Sequence, residues 1–332
     1  MAVLQIVGNE SGAGKTSLAA ALLLTAHAAG KQAAYYKPFS SEPGADPDVA
    51  FISQLLQTTS SGPLVPAPKP QATSADAAAL GEVRTEISKL ESEAGVVIIE
   101  GPDGSVIYAE PYAPDSKVLL VHRYPQQTGA VAVTECINAV GNAPSAVPGL
   151  AGIVVNTVPI HRRDEVARNL DGLSACLAVI PESRGMLSVT VKQLAEHLGG
   201  QWVLDPANTD APVERFMIGG NIMDEGPTYF GRYANQAVIT RVERPDIQMA
   251  CMSENTKCLV LTGPGEPIEY IKAEALQREI PLIQVRSNTL DTVESLAGLL
   301  DKADARTTAK AGHFAGLLER YMGAEAIEQL LS

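Results

Sequence analysis

The chain has 332 residues, more than one domain ordinarily holds, so two domains are expected, each able to bury a core of its own. Acidic side chains outnumber basic ones 38 to 25, a formal net charge of -13; a field of that sign repels nucleic acid and anionic membranes but leaves room for a local pocket that takes one small anion. The four cysteines (Cys136, Cys176, Cys251, Cys258) form no C-x-x-C pair and no zinc-like spacing with histidine, which argues for isolated buried thiols in a reducing cytoplasm.

In chain order, the apolar run VLQIV (3–7) leads into the loop GNESGAGKTS (8–17) and then a long helical pattern. Residues 18–30 have the length of a signal-peptide core, but no basic N-terminus precedes them, they are too short to span a bilayer, and the glycine loop already explains them as the helix that follows it. Further apolar runs stand at 33–38, 96–100, 117–122, 152–156 and 177–181, separated by helical patterns. Continuous apolar runs buried on both faces and joined by helices describe an α/β fold with a doubly wound, mostly parallel sheet. Leu80, Val83, Ile87 and Leu90 repeat at helical spacing, after a proline-rich loop at 62–71. The turn-forming stretch 205–213 reads as a linker between domains 1–207 and 213–332. Beyond it a smaller α/β unit is expected, with strands at 237–242, 258–263 and 282–287 and helices near 266–279 and 289–303. The amphipathic tail from 313 should pack within the molecule.

The glycines of 8–17 let successive N–H groups converge on phosphate oxygens at a helix N-terminus. Gly12, Ala13, Gly14, Lys15, Thr16 and Ser17 would form that cradle, with Lys15 on the terminal phosphates and the Thr16 hydroxyl on Mg²⁺. Gly8 and Gly14 are separated by five residues where the usual P-loop has four. Magnesium also wants a carboxylate or two. Glu100, ending a strand at the C-terminal edge of the sheet, is the first candidate, against the plainer reading of a solvated strand-end acid. Asp46 and Asp48 come next and stay open. Lys37, followed by Ser40 and Ser41, suits an anionic substrate or γ-phosphate, or else snorkels off the rim.

Taken in order, GNESGAGKTS, YYKPFSS, DPDVAF, VVIIEGPDG, GIVVNTVP and LAVIPESRGMLSVTV resemble the dethiobiotin synthetase superfamily, and most of all the similar domain at the N-terminus of long bacterial phosphotransacetylases. That family's loop shares the five-residue spacing. The resemblance implies ATP and Mg²⁺ as cofactors, with Thr16, Glu100 and Asp48, rather than Asp46, as metal partners. It also implies that Lys37 and Ser41 hold the substrate and transferred phosphoryl group, that Asn156 reads adenine, and that the loop after Pro181 closes over the base. Glu10 stands where related dimeric ATPases carry a second lysine. Pro102 and Asp103 interrupt the small residues usual after the acid, and Arg123 is either an anion ligand or a surface arginine. Residues from about 214 to 300, with ERPD (243–246) and LTGPGEP (261–267), resemble the DRTGG domain that accompanies this one in phosphotransacetylases; without the phosphotransacetylase catalytic domain, acetyl transfer is not expected. The function this implies is an ATPase or phosphoryl-transfer enzyme acting on a small carboxylate or carbamate, or a nucleotide-sensing regulator. Either would be a cytoplasmic homodimer or higher homo-oligomer with a small anionic substrate or effector and no nucleic-acid or membrane partner.

Overall fold

The computed structural model describes residues 2–57, 64–70, 77–101, 111–127, 129–220 and 226–332. Pro102, Asp103 and part of the proline-rich loop lie outside them. Two compact units emerge from the contacts, Met1–Ser183 with Ala305–Ser332, and Arg184–Asp304.

The first unit runs β1 (Ala2–Gly8), α1 (Lys15–Ala28), β2 (Ala33–Tyr36), β3 (Phe39–Ser40), α2 (Pro47–Gln57), β4 (Lys69–Pro70), α3 (Ala77–Glu93), β5 (Val96–Glu100), β6 (Lys117–Arg123), α4 (Ala130–Ala146), β7 (Leu150–Val158), α5 (Arg163–Leu170) and β8 (Cys176–Pro181). Six of these strands form one parallel sheet in the order β2-β5-β1-β6-β7-β8. All five residues of β5 are buried, as a central parallel strand covered on both faces requires. The order reverses around β1, so the loop leaving its C-terminal end opens at the switch point where such sheets bind ligands. Val83, Ile87 and Leu90 of α3 pack with Val97 and Ile99, and on the same face of the sheet Val133, Cys136 and Val140 of α4 pack with Leu120 and Val155, since Ile99 and Val118 both align with Gln5 and Leu120 with Val7.

The second unit contains α6 (Arg184–Leu187), β9 (Val189–Thr190), α7 (Val191–His197), β10 (Gln201–Trp202), β11 (Pro212–Val213), β12 (Arg215–Gly219), α8 (Gly226–Phe230), β13 (Gln236–Arg241), α9 (Pro245–Cys251), β14 (Thr256–Thr262), α10 (Glu269–Gln277), β15 (Leu282–Val285) and α11 (Thr289–Glu294). Its sheet has the order β10-β15-β14-β13-β12, parallel except for the short edge strand β10. The stretch expected to be a linker belongs to this unit, because Pro212 and Val213 pair antiparallel with Thr190 and Val189. The helix expected over 289–303 ends at Glu294 and gives way to a short 3-10 turn after Gly298, which takes φ 74. Thr190 and Gln193 close a capping box on α7, the Thr190 hydroxyl accepting from Gln193 N and the Gln193 side chain accepting from Thr190 N. Thr190→Ala should therefore lower the urea stability of this unit by about 1 kcal/mol, read as a shift in midpoint at constant slope.

The chain closes with α12 (Thr308–Met322) and α13 (Ala324–Leu330). Sequence reasoning attaches this tail to the second domain; its contacts attach it to the first unit. The cause is α1, whose residues from Leu18 to Leu23 are all buried: an all-round apolar helix needs a cover besides the sheet. Ala311, Phe314 and Leu318 of α12 supply buried apolar surface, and the helix packs on α1 and β8. Lys31 Nζ also donates to Leu331 O at 2.8 Å and Lys117 Nζ to Gln329 O at 3.1 Å.

Candidate nucleotide site at the end of the first sheet

The loop between β1 and α1 turns on Gly12 (φ 72) and Gly14 (φ 105), conformations closed to most side chains. A Cβ on Gly14 would stand 2.5 Å from Asn156 Nδ2. Asn156, two residues before the end of β7, donates that same Nδ2 to Ala13 O at 2.9 Å and so ties the loop to the sheet. This is where the structure puts the residue expected to read adenine: its amide nitrogen is engaged with the loop backbone. Asn9 secures the other side, accepting from Arg123 N at 2.8 Å. The Arg123 guanidinium flanks Gly12 and pairs at 3.7 Å with Glu10. Gly14→Ala combines backbone strain with displacement of Asn156; it should destabilise the unit by about 1–3 kcal/mol and weaken nucleotide binding at least about tenfold, measured by denaturation and calorimetry.

Lys15 and Thr16 begin α1 at the positive end of its dipole. Lys15 is 4% exposed. The Thr16 hydroxyl donates to Glu100 Oε1 at 2.9 Å, and Tyr35 OH donates to Glu100 Oε2 at 2.8 Å. Glu100 ends β5 in register with Ile6 of β1, which sets its carboxylate beside the loop rather than in solvent. Burial, then the charge of Asp48, pushes its carboxyl up to about 7, against the pull of Lys15, the Tyr35 hydrogen bond and Lys37. Burial, then Glu100, likewise drives the Tyr35 phenol well above its usual value.

Beside this pair lies a second cluster. Lys37 Nζ is 2.6 Å from Asp48 Oδ2 and 2.9 Å from Asp46 Oδ2. Burial opposes its charge, but the hydrogen bonds to Asp48 and Asp46 outweigh that and raise its pKa. Both carboxyls are lowered: burial works to raise them, and is overcome by Ser40 and Lys37 around Asp46 and by Lys37 and Arg306 around Asp48. The geometry separates the two aspartates. Asp46 caps α2, its Oδ1 accepting from Asp48 N at 2.9 Å and Val49 N at 3.0 Å. Its Oδ2 takes Ser40 Oγ at 2.6 Å, so both oxygens are committed to local structure. Among the described residues Asp48 makes no capping bond; its Oδ1 accepts from Arg306 Nε at 2.8 Å. Ser41 is exposed, and the hydroxyl gathered in is that of Ser40. Ser17 is half-buried in the first turn of α1, and Pro181 closes β8 at the same edge of the sheet.

Among the described residues no three or more His, Cys, Asp or Glu side chains form a protein-built metal cage. Magnesium needs none, since it keeps waters and takes phosphate oxygens with one or two protein ligands. The hydroxyl–carboxylate pair of Thr16 and Glu100, with Asp48 nearby and a cradle that Cβ atoms would fill, suits a phosphate-bound divalent ion. Sequence reasoning missed Tyr35 and Arg306.

This sheet, switch point and loop define a P-loop NTPase-like α/β protein. Residues 2–186, more than half of the chain, match the model of an AAA domain family with a dethiobiotin-synthetase-like P-loop, and residues 193–299 match the DRTGG domain. The chain belongs to this P-loop family and carries a DRTGG domain behind it. Similar solved structures include the Aquifex aeolicus MinC:MinD cell division complex (14% identity over 56% of this chain and 84% of that one, TM-score 0.39). Cobyrinic acid a,c-diamide synthase from Mycobacterium smegmatis, solved with ADP and magnesium, is 16% identical over 55% and 88% (TM-score 0.34). The CBS and DRTGG domains of Clostridium perfringens pyrophosphatase, complexed with the activator diadenosine tetraphosphate, are 11% identical over 46% and 75% (TM-score 0.31). No helix among the described residues is long and apolar enough to cross a membrane.

Proposed function

We propose that the chain binds ATP with Mg²⁺ at the loop of residues 8–17 and cleaves its γ-phosphate, by hydrolysis or by transfer to a small carboxylate or carbamate-like acceptor. The observation that carries this reading is the Thr16–Glu100 pair beside Lys15, a hydroxyl and a carboxylate set where a phosphate-bound cation would stand. Magnesium, when bound, would neutralise charge building up on the phosphate oxygens. Lys15 and the loop amides would orient those oxygens, Thr16 and Glu100 would hold the cation with Asp48, and Lys37 would face the acceptor with Ser41 at its rim. Asn156 and the segment after Pro181 would shape the base end.

One observation favours a second reading, a nucleotide-sensing regulator in which occupancy of the first domain is reported to the DRTGG domain or a partner. Lys37 is buried and already paired with two carboxylates, which leaves it little charge to offer an anionic acceptor. ADP release from Mg–ATP, with and without a small-molecule cell extract, separates the two. Strong stimulation that Lys15→Ala abolishes supports the enzyme, and tight ATP binding without turnover supports the sensor. Absence of any calorimetric response to millimolar ATP with magnesium would refute both. We further expect a homo-oligomer working in the cytoplasm.

A further inference from the structure

The carboxylate of Asp48 is held twice, by Lys37 at 2.6 Å on Oδ2 and by Arg306 at 2.8 Å on Oδ1. The two cations are not equivalent. The Lys37 side chain is 6% exposed and also bound to Asp46, whereas that of Arg306 is 37% exposed. A guanidinium that already reaches water loses little on leaving Asp48, while a buried ammonium that gave up Asp48 would have no water to replace it. Any divalent ion that takes an oxygen of Asp48 therefore displaces Arg306 before Lys37.

Arg306 comes from 258 positions away and immediately precedes Thr307, the N-cap of α12, whose hydroxyl accepts from Lys310 N at 3.2 Å. The helix it introduces lies on α1, the helix of the phosphate loop, and on β8. Further along the same helix, His313 Nε2 stands 2.6 Å from Ser183 Oγ, in the segment that follows Pro181. α12 is thus fastened just before its start by a part-buried contact at the carboxylate cluster and further along by an exposed one just beyond β8. Apolar packing holds the rest of the helix in place whether or not those contacts persist.

We propose that Arg306 is an intramolecular competitor of the divalent cation at Asp48: in the metal-free chain it neutralises the carboxylate, and uptake of metal with nucleotide releases it and loosens the first turn of α12. This rests on the reading of Asp48 as a metal partner given above. Arg306 follows the last residue of the second unit, Asp304, by two positions, so the release occurs where the chain re-enters the first unit.

Calorimetry of wild type and Arg306→Ala with ADP, once in EDTA and once with Mg²⁺, tests the competition. The ratio of the two dissociation constants should rise roughly twofold to fivefold in the variant, through tighter binding of Mg–ADP. An unchanged or smaller ratio overturns the proposal. Hydrogen exchange on the wild type needs no variant: Mg–ADP, but not ADP in EDTA, should speed exchange at Lys310 and Ala311, and unchanged or slower exchange overturns the proposal as well. A wild type that binds no ADP in either buffer would refute the nucleotide site itself, and the competition with it. Magnesium-dependent ADP binding with an unchanged ratio in Arg306→Ala would remove the competition alone.

Discussion

Lys15→Ala should weaken binding of Mg–ATP by at least about a hundredfold while leaving the fold intact. A charge-assisted contact to an ionised group is worth about 1.5–3 kcal/mol, and a lysine reaching two phosphate oxygens would lose roughly twice that. The lower figure alone already gives about a hundredfold for two contacts. Among the described residues no neighbouring cation is placed to compensate. Lys37 is bound to Asp46 and Asp48, Arg306 to Asp48, and Arg123 lies on the Gly12 side of the loop. Calorimetry against Mg–ATP reads the loss, and circular dichroism checks that the sheet survives. Binding within a few-fold of wild type would mean that the loop does not hold the phosphates.

Much of this arrangement is legible in the residues. The runs at 3–7, 33–38, 96–100, 117–122, 152–156 and 177–181 became β1, β2, β5, β6, β7 and β8 because a strand covered on both faces must be apolar throughout. What a run does not carry is its neighbour. Nothing within VVIIE places β5 between β2 and β1, and it is that order which brings Glu100 to the loop and Tyr35 within reach of Glu100. The capping role of Asp46 was available in principle, since aspartate before a proline at the first helical position is a known helix start. Reading Asp46 that way would have given the preference for Asp48, implied by the resemblance alone, a physical reason. Ser40 rather than Ser41 depends on which side of the extended chain faces Asp46, and that is fixed only once α2 has docked. Arg306 had no local signal at all. Its partner is remote in sequence, and the helix that delivers it goes to α1 because α1 is apolar on every side.

The largest effect on stability is expected from Glu100→Gln in metal-free buffer. Glu100 is 2% exposed, and burial followed by the charge of Asp48 raises its carboxyl from 4.5 to about 7. Between those values the folded chain keeps a proton that the unfolded chain has released, so stability falls as the pH rises through this window and stays lowered above it. A shift of that size corresponds to about 3 kcal/mol. The amide cannot ionise, so the variant should be more stable than wild type by about that much at pH 8, and the gap should close as the pH falls towards 4.5. The wild-type curve alone would hide this. His122 is buried, its Nε2 has no hydrogen-bond partner among the described residues, and burial lowers its pKa from 6.5 to about 4. The folded chain there refuses a proton that the unfolded chain takes, so stability falls as the pH drops, opposite in sign to Glu100 where the windows overlap. Both proteins carry His122, so the difference between them isolates Glu100. Urea unfolding in EDTA at pH 5 and pH 8 measures it, and an equal difference at both values would refute the assignment. Saturating Mg–ADP should then reverse the ranking at pH 8. The charged carboxylate that weakens the free protein is the group proposed to hold the cation, and ligand bound to the native state stabilises wild type by RT ln(1 + c/Kd), c being the free ligand concentration.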